Sequence, residues 1–376
     1  MSNCKMKYLF VILTILLVFS AGALAQVTAT TPSGSGTSED PYVIETLAHL
    51  SWLAQNSSEW GAHFEQNSDI DASQTQYWDD SDDDGDGDLY NDANDGNDNG
   101  NNEGFSPIGK SGNVFTGHYD GKYHVIDNLY IDRPSTFSVG FFGAIGKFDN
   151  GGQEVKNLGV TNVNFKGYSE VGGLAGEAYG TSSDHVSINN CYSTGTITGK
   201  DGQYHGGFVG YSTYSDISNC YSRVDVDGVS HVGGFIGRHY INTTTTNCYS
   251  TGSVSGSYPT GGFTGSGENF DGSESYDCFW DEDASGQTSS DHGTAKSTTE
   301  MKDVVTFTNE STEGLDNAWD FVTNPNDDIA ENDYWDIDQS GNINNGYPFL
   351  NYQNGEDVSL PVELASFTAT RNDDQV

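Results

Sequence analysis

A unit of 28 to 30 residues repeats along this chain of 376 residues and constrains its fold more than any other feature. Each copy contains a glycine-rich phrase that is followed by an Asn-Cys-Tyr-Ser phrase. The glycine-rich phrases occupy residues 172–176, 206–210, 233–237 and 261–265. The second phrase occupies residues 190–193, 219–222 and 247–250, with a degenerate copy at 277–280. A fixed period predicts a stack of equal units, and fainter copies upstream bring their number to about six.

The composition of the repeats indicates short strands separated by glycine turns, and such strands bury a face only against neighbouring units. We therefore predict an all-β chain folded as a right-handed parallel β-helix, a solenoid of about six coils. The asparagine before each cysteine is a candidate turn residue with left-handed backbone, and stacked asparagines can hydrogen-bond along the axis. A β-propeller is the alternative fold, but each blade needs about 40 residues, which is more than this period.

The charge of the chain limits its partners. The formal net charge is −41, from 55 acidic and 14 basic residues. Phosphate binding needs clustered Lys and Arg, so we expect no nucleic acid partner. The aromatic content of 12% argues against a disordered chain. Such an acidic chain repels copies of itself unless cations neutralise it.

The first 25 residues have the pattern of an export signal. Two lysines precede an apolar run at residues 9–20, and the Ala-Leu-Ala sequence at residues 23–25 has the form of a cleavage site. The apolar run is short for a membrane-spanning helix. We expect a mature chain that begins near Gln26, is secreted or displayed on the outer cell surface, and is not an integral membrane protein.

The period breaks down on both sides of the repeats, where we predict two caps. A helix at the start of the N-terminal cap is predicted to cover the open end of the solenoid. Its apolar positions, at helical spacing, are Leu47, Leu50, Leu53 and Ala54. The predicted regions are an N-terminal cap at 26–110 with an acidic insert at 79–103, the repeats at 111–280, and a C-terminal cap at 281–358.

The paired phrases resemble the GLUG-motif repeats of bacterial surface and secreted proteins. Flanking sequences at residues 69–71, 105–109, 115–121 and 279–281 resemble the segments that enter and leave such repeats. The resemblance implies a surface or secreted protein. Some proteins with these repeats also carry a metallopeptidase, but this chain contains no His-Glu-x-x-His zinc motif.

The end of the chain shows a second resemblance. Residues 360–367 resemble the opening of the C-terminal sorting region of type IX secretion substrates. Such a region is expected to continue well beyond residue 376, so we interpret residues 359–376 as an incomplete sorting region.

The acidic insert contains two half-loops of the EF-hand type, one of which can be read in two registers. Oxygen ligands at alternate positions of a turn converge on a hard cation, which predicts a structural calcium ion. The predicted ligands are Asp80, Asp82, Asp84, Asp86, Asp88, Asp92, Asp95, Asn97 and Asn99. Ala93 stands at position twelve of the loop, where a calcium loop has glutamate. The alternative is a solvated acidic loop without a specific ion.

One cysteine per coil predicts a structural ladder along the solenoid. Adjacent rungs are close enough for disulfides, and export favours oxidation. Cysteine is also a small apolar core residue, and the spacing lacks the Cys-x-x-Cys pair of many zinc sites. We favour a buried, reduced ladder, with disulfides and zinc as the alternatives. Its members are Cys191, Cys220, Cys248 and Cys278.

An aromatic residue follows each cysteine, so strand alternation directs it to the opposite face. Inward cysteines therefore predict an outward stripe of Tyr192, Tyr221 and Tyr249, continued by Phe279. Such a stripe can stack on sugar rings or contact a partner protein. The alternative is ordinary aromatic stacking that stabilises the sheet.

The sequence contains no nucleophile elbow and no phosphate-binding loop. Arg223 near Asp225 and Asp227 is the best local candidate for lyase chemistry, and a surface ion pair is the plainer interpretation. We predict a noncatalytic exported scaffold for adhesion, in contact with a glycan or a surface protein. The alternatives are a calcium-dependent polysaccharide lyase or hydrolase of β-helix type, and a structural stalk of a larger surface protein.

Overall fold

The repeats form a parallel β-solenoid of about five turns. The computed structural model describes residues 27–78, 102–146, 153–199, 201–267, 272–322, 333–338 and 340–354. In each turn the chain passes through three sheets, which we number in the order in which the chain meets them. Strands of neighbouring turns pair in parallel register, for example Tyr192 with Tyr221 and Tyr221 with Tyr249. The predicted β-helix is therefore confirmed, and the antiparallel blades of a propeller are excluded.

Sheet 1 has eight strands within the described ranges. They are Tyr42–Ile44, His63–Gln66, His118–Asp120, Glu154–Lys156, Val186–Asn189, Ser215–Ser218, Thr244–Thr246 and Glu274–Tyr276. The first two strands come from the region that the sequence assigned to the N-terminal cap. That region thus continues the solenoid through its own parallel strands, in addition to covering its end.

Sheets 2 and 3 complete each turn. In the described part of the chain, sheet 2 consists of Ile70–Asp71, Val125–Asp127, Tyr130–Val139, Gly159–Gly172, Tyr192–Gly199, Gln203–Gly206, Tyr221–Asp227, Ser230–Gly233, Tyr249–Ser250, Val254–Ser255, Thr260–Gly261, Phe279–Asp281 and Thr294–Lys296. Sheet 3 consists of Phe142–Gly146, Ala175–Tyr179, Val209–Thr213, Ile236–His239 and Thr264–Gly267. The glycine-rich phrase of each repeat forms the corner between these two sheets.

The turn between sheets 1 and 2 is built by the asparagine before each cysteine. Asn190, Asn219 and Asn247 all have left-handed backbone, with φ of 52°, 50° and 51°. Asparagine tolerates this conformation better than most residues. The amide of Asn247 donates to Oδ1 of Asn219 at 3.4 Å, and that of Asn190 donates to Asn157 at 3.2 Å. Both the turn and the contacts along the axis agree with the sequence prediction.

The interior is filled by identical residues stacked from turn to turn. Phe208, Phe235 and Phe263 stack with ring centroids 4.8 Å apart. Glycine is required where the coils approach most closely. A Cβ on Gly207 would lie 2.3 Å from the carbonyl oxygen of Gly234.

A helix closes the N-terminal end of the solenoid. Helix Leu47–Gln55 begins after Thr46, whose side chain accepts a hydrogen bond from the His49 amide. Its four predicted apolar positions are all buried, which confirms the capping helix. Short 3₁₀ turns follow at Ser57–Glu59 and Ser73–Tyr77.

The C-terminal segment, which we define as the described residues between 298 and 354, packs along the outer face of sheet 2. It contains helices Thr298–Met301 and Val304–Thr308, the antiparallel strands Trp335–Ile337 and Pro348–Leu350, and 3₁₀ turns Asn344–Gly346 and Asn351–Asn354. Helix Glu282–Ser285 precedes it. The segment runs back along the outer face of sheet 2, because Phe307 packs on Phe279 of the last turn whereas Tyr352 reaches Tyr192.

Candidate functional site

The tyrosine ladder, Tyr192, Tyr221 and Tyr249, lies on the outer face of sheet 2 as alternation predicts. The rings stack with centroids 4.9 and 5.1 Å apart. However, their side chains are only 5%, 1% and 0% exposed. The prediction of an exposed ligand-contact stripe is therefore wrong, because the C-terminal segment covers these rings.

The cover over the tyrosine ladder is itself aromatic and well bonded. Trp335 packs against Tyr221 and Tyr249 with centroids 6.3 and 5.9 Å away. The Tyr221 hydroxyl donates to Gln353 Oε1 at 3.0 Å. The Tyr249 hydroxyl donates to the Pro348 carbonyl and accepts from the Asn344 amide at 2.8 Å. The ladder thus forms a second hydrophobic core outside the solenoid.

Arg223 belongs to this interface and does not act with Asp225 and Asp227. Its Nη1 donates to Asn344 Oδ1 at 2.5 Å, and its guanidinium lies over the Tyr347 ring at 5.4 Å. Asp225 accepts from Ser253, and Asp227 accepts from Ser255. The predicted lyase-like trio is therefore not assembled.

The cysteine ladder points into the solenoid. Cys191, Cys220, Cys248 and Cys278 are buried and carry free thiols in this structure. The Cys191 backbone amide donates to Cys220 Sγ at 3.4 Å, so neighbouring rungs are in contact. Burial raises the pKa of the Cys220 thiol. The reduced state of the ladder in the exported protein stays a prediction.

The predicted calcium ligands, Asp80 to Asn99, lie outside the described residues, as do the export signal and the sorting region. Within the described ranges, His, Cys, Asp and Glu side chains are nowhere grouped in threes in a way that could hold a metal ion. Nor does this part of the chain include a helix that is long and apolar enough to cross a membrane.

The structure forms a different candidate site at the corner between sheets 2 and 3. This corner groove has a volume of about 530 Å³ and is open to solvent. Its lining combines aromatic rings, two carboxylates and one guanidinium. The lining residues are Ser111, Phe137, Glu170, Glu177, Tyr179, Tyr204, Tyr211 and Arg238.

Two rows of side chains build the corner groove. At the end of the sheet 2 strands, the register places Glu170 beside Ser138 of the preceding turn and beside Tyr204 of the following turn. These three residues have φ of 51°, 59° and 65°, a conformation that side chains other than glycine adopt at some cost. Along sheet 3, Glu177 lies level with Tyr211, and Tyr211 lies level with Arg238. The left-handed corner brings the two rows together.

The two carboxylates of the groove are poorly solvated. Burial, and then the proximity of Glu177, raise the pKa of Glu170 to about 7, and the Ser169 hydroxyl offsets this only in part. Burial also raises the pKa of Glu177, which the Ser138 hydroxyl lowers by donating a hydrogen bond to Oε1. Glu170 is therefore partly protonated near neutral pH.

Aromatic rings hold Arg238 at the far end of the groove. Its guanidinium carbon lies 4.3 Å from the Tyr240 ring centroid and 5.3 Å from that of Tyr204. Its Nη1 donates to the Tyr204 hydroxyl at 2.7 Å. Tyr211 lies against both Tyr204 and Tyr240. At the other end, Phe137 remains 55% exposed.

Sequence reasoning missed this site, although the repeats contain a signal for it. Two positions near the glycine-rich phrase vary between copies of the repeat. One lies two residues before the first glycine of the phrase, and the other lies five residues after it. They hold Glu170 and Glu177 in one copy, and Tyr204 and Tyr211 in the next. Variable polar positions that frame an invariant turn are the places where a repeat protein can build a site.

Comparison with known proteins supports the repeats and the fold. Residues 167–198, 201–227 and 228–255 match the GLUG motif family. Halomucin of Haloquadratum walsbyi is 32% identical over 188 residues, 49% of this chain and 2% of halomucin. A protein of Evansella cellulosilytica that is provisionally named a Gly-rich membrane protein is 31% identical over 216 residues, 56% of this chain and 21% of that protein. The chain thus spans a small part of these relatives.

A solved structure shares the fold. The crystal structure of a Bacteroides ovatus protein, provisionally assigned as an immunoglobulin A1 protease, aligns with a TM-score of 0.55 at 21% identity. The alignment covers 85% of this chain and 94% of that one. Likeness at this identity concerns the fold alone. Taken with the geometry, the matches identify the middle turns of this β-helix as GLUG motif repeats.

Proposed function

We propose that this protein is an exported, noncatalytic β-helix that binds a glycan at the cell surface through the corner groove. One observation carries the proposal: aromatic rings, of which Phe137 and Tyr179 are exposed, line one open groove at a sheet corner together with two partly buried carboxylates. Aromatic faces pack on apolar surfaces while their polar edges stay hydrated, and carboxylates accept hydrogen bonds from hydroxyl groups. A volume of about 530 Å³ falls in the range of small-ligand sites.

Because the tyrosine ladder is buried, we propose that the ligand binds in the corner groove and not on the outer face of sheet 2. The adhesive role predicted from the sequence is retained, but Tyr179, Tyr204 and Tyr211 replace the ladder as the binding residues. Tyr179 is 37% exposed, so a ring of the ligand can reach it. Calcium bound by the acidic insert remains part of the proposal as a structural ion.

A glycan array with the full-length protein tests the proposal, run with calcium and again with a chelator. We expect binding to a defined set of glycans, and we expect the double variant Tyr179→Ala/Tyr211→Ala to lose at least tenfold in affinity. Tyr276→Ala is the matched control, because Tyr276 is 43% exposed on sheet 1. Absence of binding in both conditions would contradict the proposal in favour of a stalk. Shortened oligosaccharides among the products would contradict its noncatalytic part.

A further inference from the structure

We infer that the corner groove selects a glycan that carries free amino groups, a glucosamine-type sugar whose ammonium group lies between Glu170 and Glu177. This inference rests on the proposed function and names its ligand class. It is carried by three features of the groove: two carboxylates without an ion-pair partner among the described residues, a guanidinium already engaged elsewhere, and aromatic rings beside the carboxylates.

Neither Glu170 nor Glu177 forms an ion pair with a basic side chain of the described residues. Glu170 lines the groove, and its Oε2 is shielded from solvent without a hydrogen-bond partner among the described residues, so the negative charge of this side chain is poorly compensated by the protein. Glu177 accepts a hydrogen bond from the Ser138 hydroxyl, which is neutral. The ion pairs of the described part of the chain use other carboxylates. An ammonium group at this place would give two partly desolvated carboxylates a charged donor, which makes a strong hydrogen bond.

Arg238, the basic residue of the groove lining, does not pair with Glu170 or Glu177. Its guanidinium is held by the Tyr204 hydroxyl and by the rings of Tyr204 and Tyr240. It lies on the turn beyond Tyr211, whereas Glu177 lies on the turn before it. The groove therefore has an anionic end at the glutamates and a cationic, aromatic end at Arg238.

The aromatic lining favours a sugar over a simple amine. Phe137 and Tyr179 stand beside the carboxylates and are exposed by 55% and 37%. A pyranose ring can pack on such a face while its amino group reaches the carboxylates. Phe137 also lines the neighbouring depression together with Tyr168, whose ring centroid is 4.8 Å away. The continuous aromatic surface suits an oligomer of several sugar units.

Calorimetric titration of the full-length protein at pH 7, where Glu170 is partly ionised, tests the inference. The probes are β-1,4-linked glucosamine hexamer, the N-acetylated hexamer, which is neutral, and spermidine, an amine without sugar rings. We expect the glucosamine hexamer to bind at least tenfold more tightly than either of the others. In the double variant Glu170→Gln/Glu177→Gln, this preference over the acetylated hexamer should disappear.

The net charge of −41 requires a control, because a polycation is attracted to any acidic surface. The variant Glu310→Gln/Glu313→Gln makes the same pair of substitutions at two exposed positions and should keep the preference. Equal losses in the two double variants would overturn the inference.

The remaining outcomes separate the inference from the proposed function. Equal affinity for the free and the acetylated hexamer would overturn the amino-sugar inference and leave glycan binding in place. Spermidine binding as tight as that of the hexamer would overturn the sugar part of the inference. A chain that binds none of the oligosaccharides here, nor any glycan on the array, would contradict both.

Discussion

At the scale of single residues, the most informative position is the asparagine before each cysteine. Its left-handed backbone turns the chain from sheet 1 to sheet 2, and its amide links successive turns. Sequence reasoning predicted both features, because asparagine is one of the few residue types that adopt this conformation readily. The corresponding Asp277 of the last turn caps the row by accepting hydrogen bonds from the Asn317 backbone and side-chain amides.

Substitution of Asn247 separates the contribution of its left-handed backbone from that of its side-chain hydrogen bond to Asn219. Asn247→Ala loses the hydrogen bond to Asn219 and forces alanine into left-handed backbone, so we expect a loss of about 2 kcal/mol in the free energy of unfolding. Asn247→Gly tolerates the backbone and should lose about 1 kcal/mol or less. Urea denaturation measures both values. Equal losses would show that backbone conformation does not limit this position.

Glu170 predicts a pH dependence of stability. Its raised pKa means that the folded protein holds this proton more tightly than the unfolded chain between pH 4.5, its ordinary value, and about 7. The stabilising contribution is therefore complete below pH 4.5 and is lost as the pH rises through about 7. In the variant Glu170→Gln the side-chain amide does not titrate. Allowing for solvent screening of a partly exposed group, this variant should be more stable than the wild type by about 1–2 kcal/mol at pH 8.

The check is the difference in unfolding free energy between Glu170→Gln and the wild type at pH 4 and at pH 8. The difference should favour the variant more at pH 8 than at pH 4. Glu310→Gln, at an exposed position, should change little between the two pH values. A difference for Glu170→Gln that is the same at both pH values would contradict the raised pKa.

At the scale of elements, the C-terminal segment changes the role of sheet 2. The sequence predicts a cap there from the loss of the repeat period, but it does not predict which face the cap contacts. Trp319, Trp335 and Tyr347 all pack on the ring of Tyr249, which lies far away along the chain. A periodic pattern describes what neighbouring repeats do to one another and carries no information on such distant contacts.

Truncation of Tyr249 tests the second hydrophobic core, which the tyrosine ladder forms with the C-terminal segment. Tyr249→Ala removes a fully buried ring, so we expect a loss of about 3–5 kcal/mol in the free energy of unfolding. Tyr249→Phe keeps the ring and loses the hydroxyl contacts with Pro348 and Asn344, at about 1–2 kcal/mol. Tyr276→Ala on the exposed face of sheet 1 should stay within about 0.5 kcal/mol. Thermal or urea unfolding distinguishes the three. A Tyr249→Ala variant as stable as Tyr276→Ala would mean that the C-terminal segment does not cover the ladder in solution.

At the scale of the whole molecule, the charge of −41 must coexist with a tightly stacked solenoid. Carboxylates at close spacing repel one another unless cations are present. The acidic insert at residues 79–103, within the predicted N-terminal cap, concentrates part of this charge in one stretch of the sequence. A bound calcium ion would therefore act on the stability of the chain as a whole.

We expect calcium to raise the melting temperature and to slow proteolysis within the insert, in comparison with a sample that contains a chelator. Magnesium at the same concentration is the control, because it screens charge equally but demands a more rigid, smaller site. Equal melting curves in calcium and chelator would contradict the predicted site, and equal effects of the two cations would indicate screening alone.

The sequence by itself determined the solenoid, its capping helix, its asparagine turns and the inward cysteines. It did so because these features depend on local alternation, on turn preference and on contacts between adjacent repeats, all of which recur with the period. Only the tertiary structure decided that Tyr192, Tyr221 and Tyr249 are covered and that Glu170 and Glu177 share a groove with Arg238. The first depends on a non-repeating segment that folds back over sheet 2. The second depends on a corner that brings together positions which lie on different strands and on different turns.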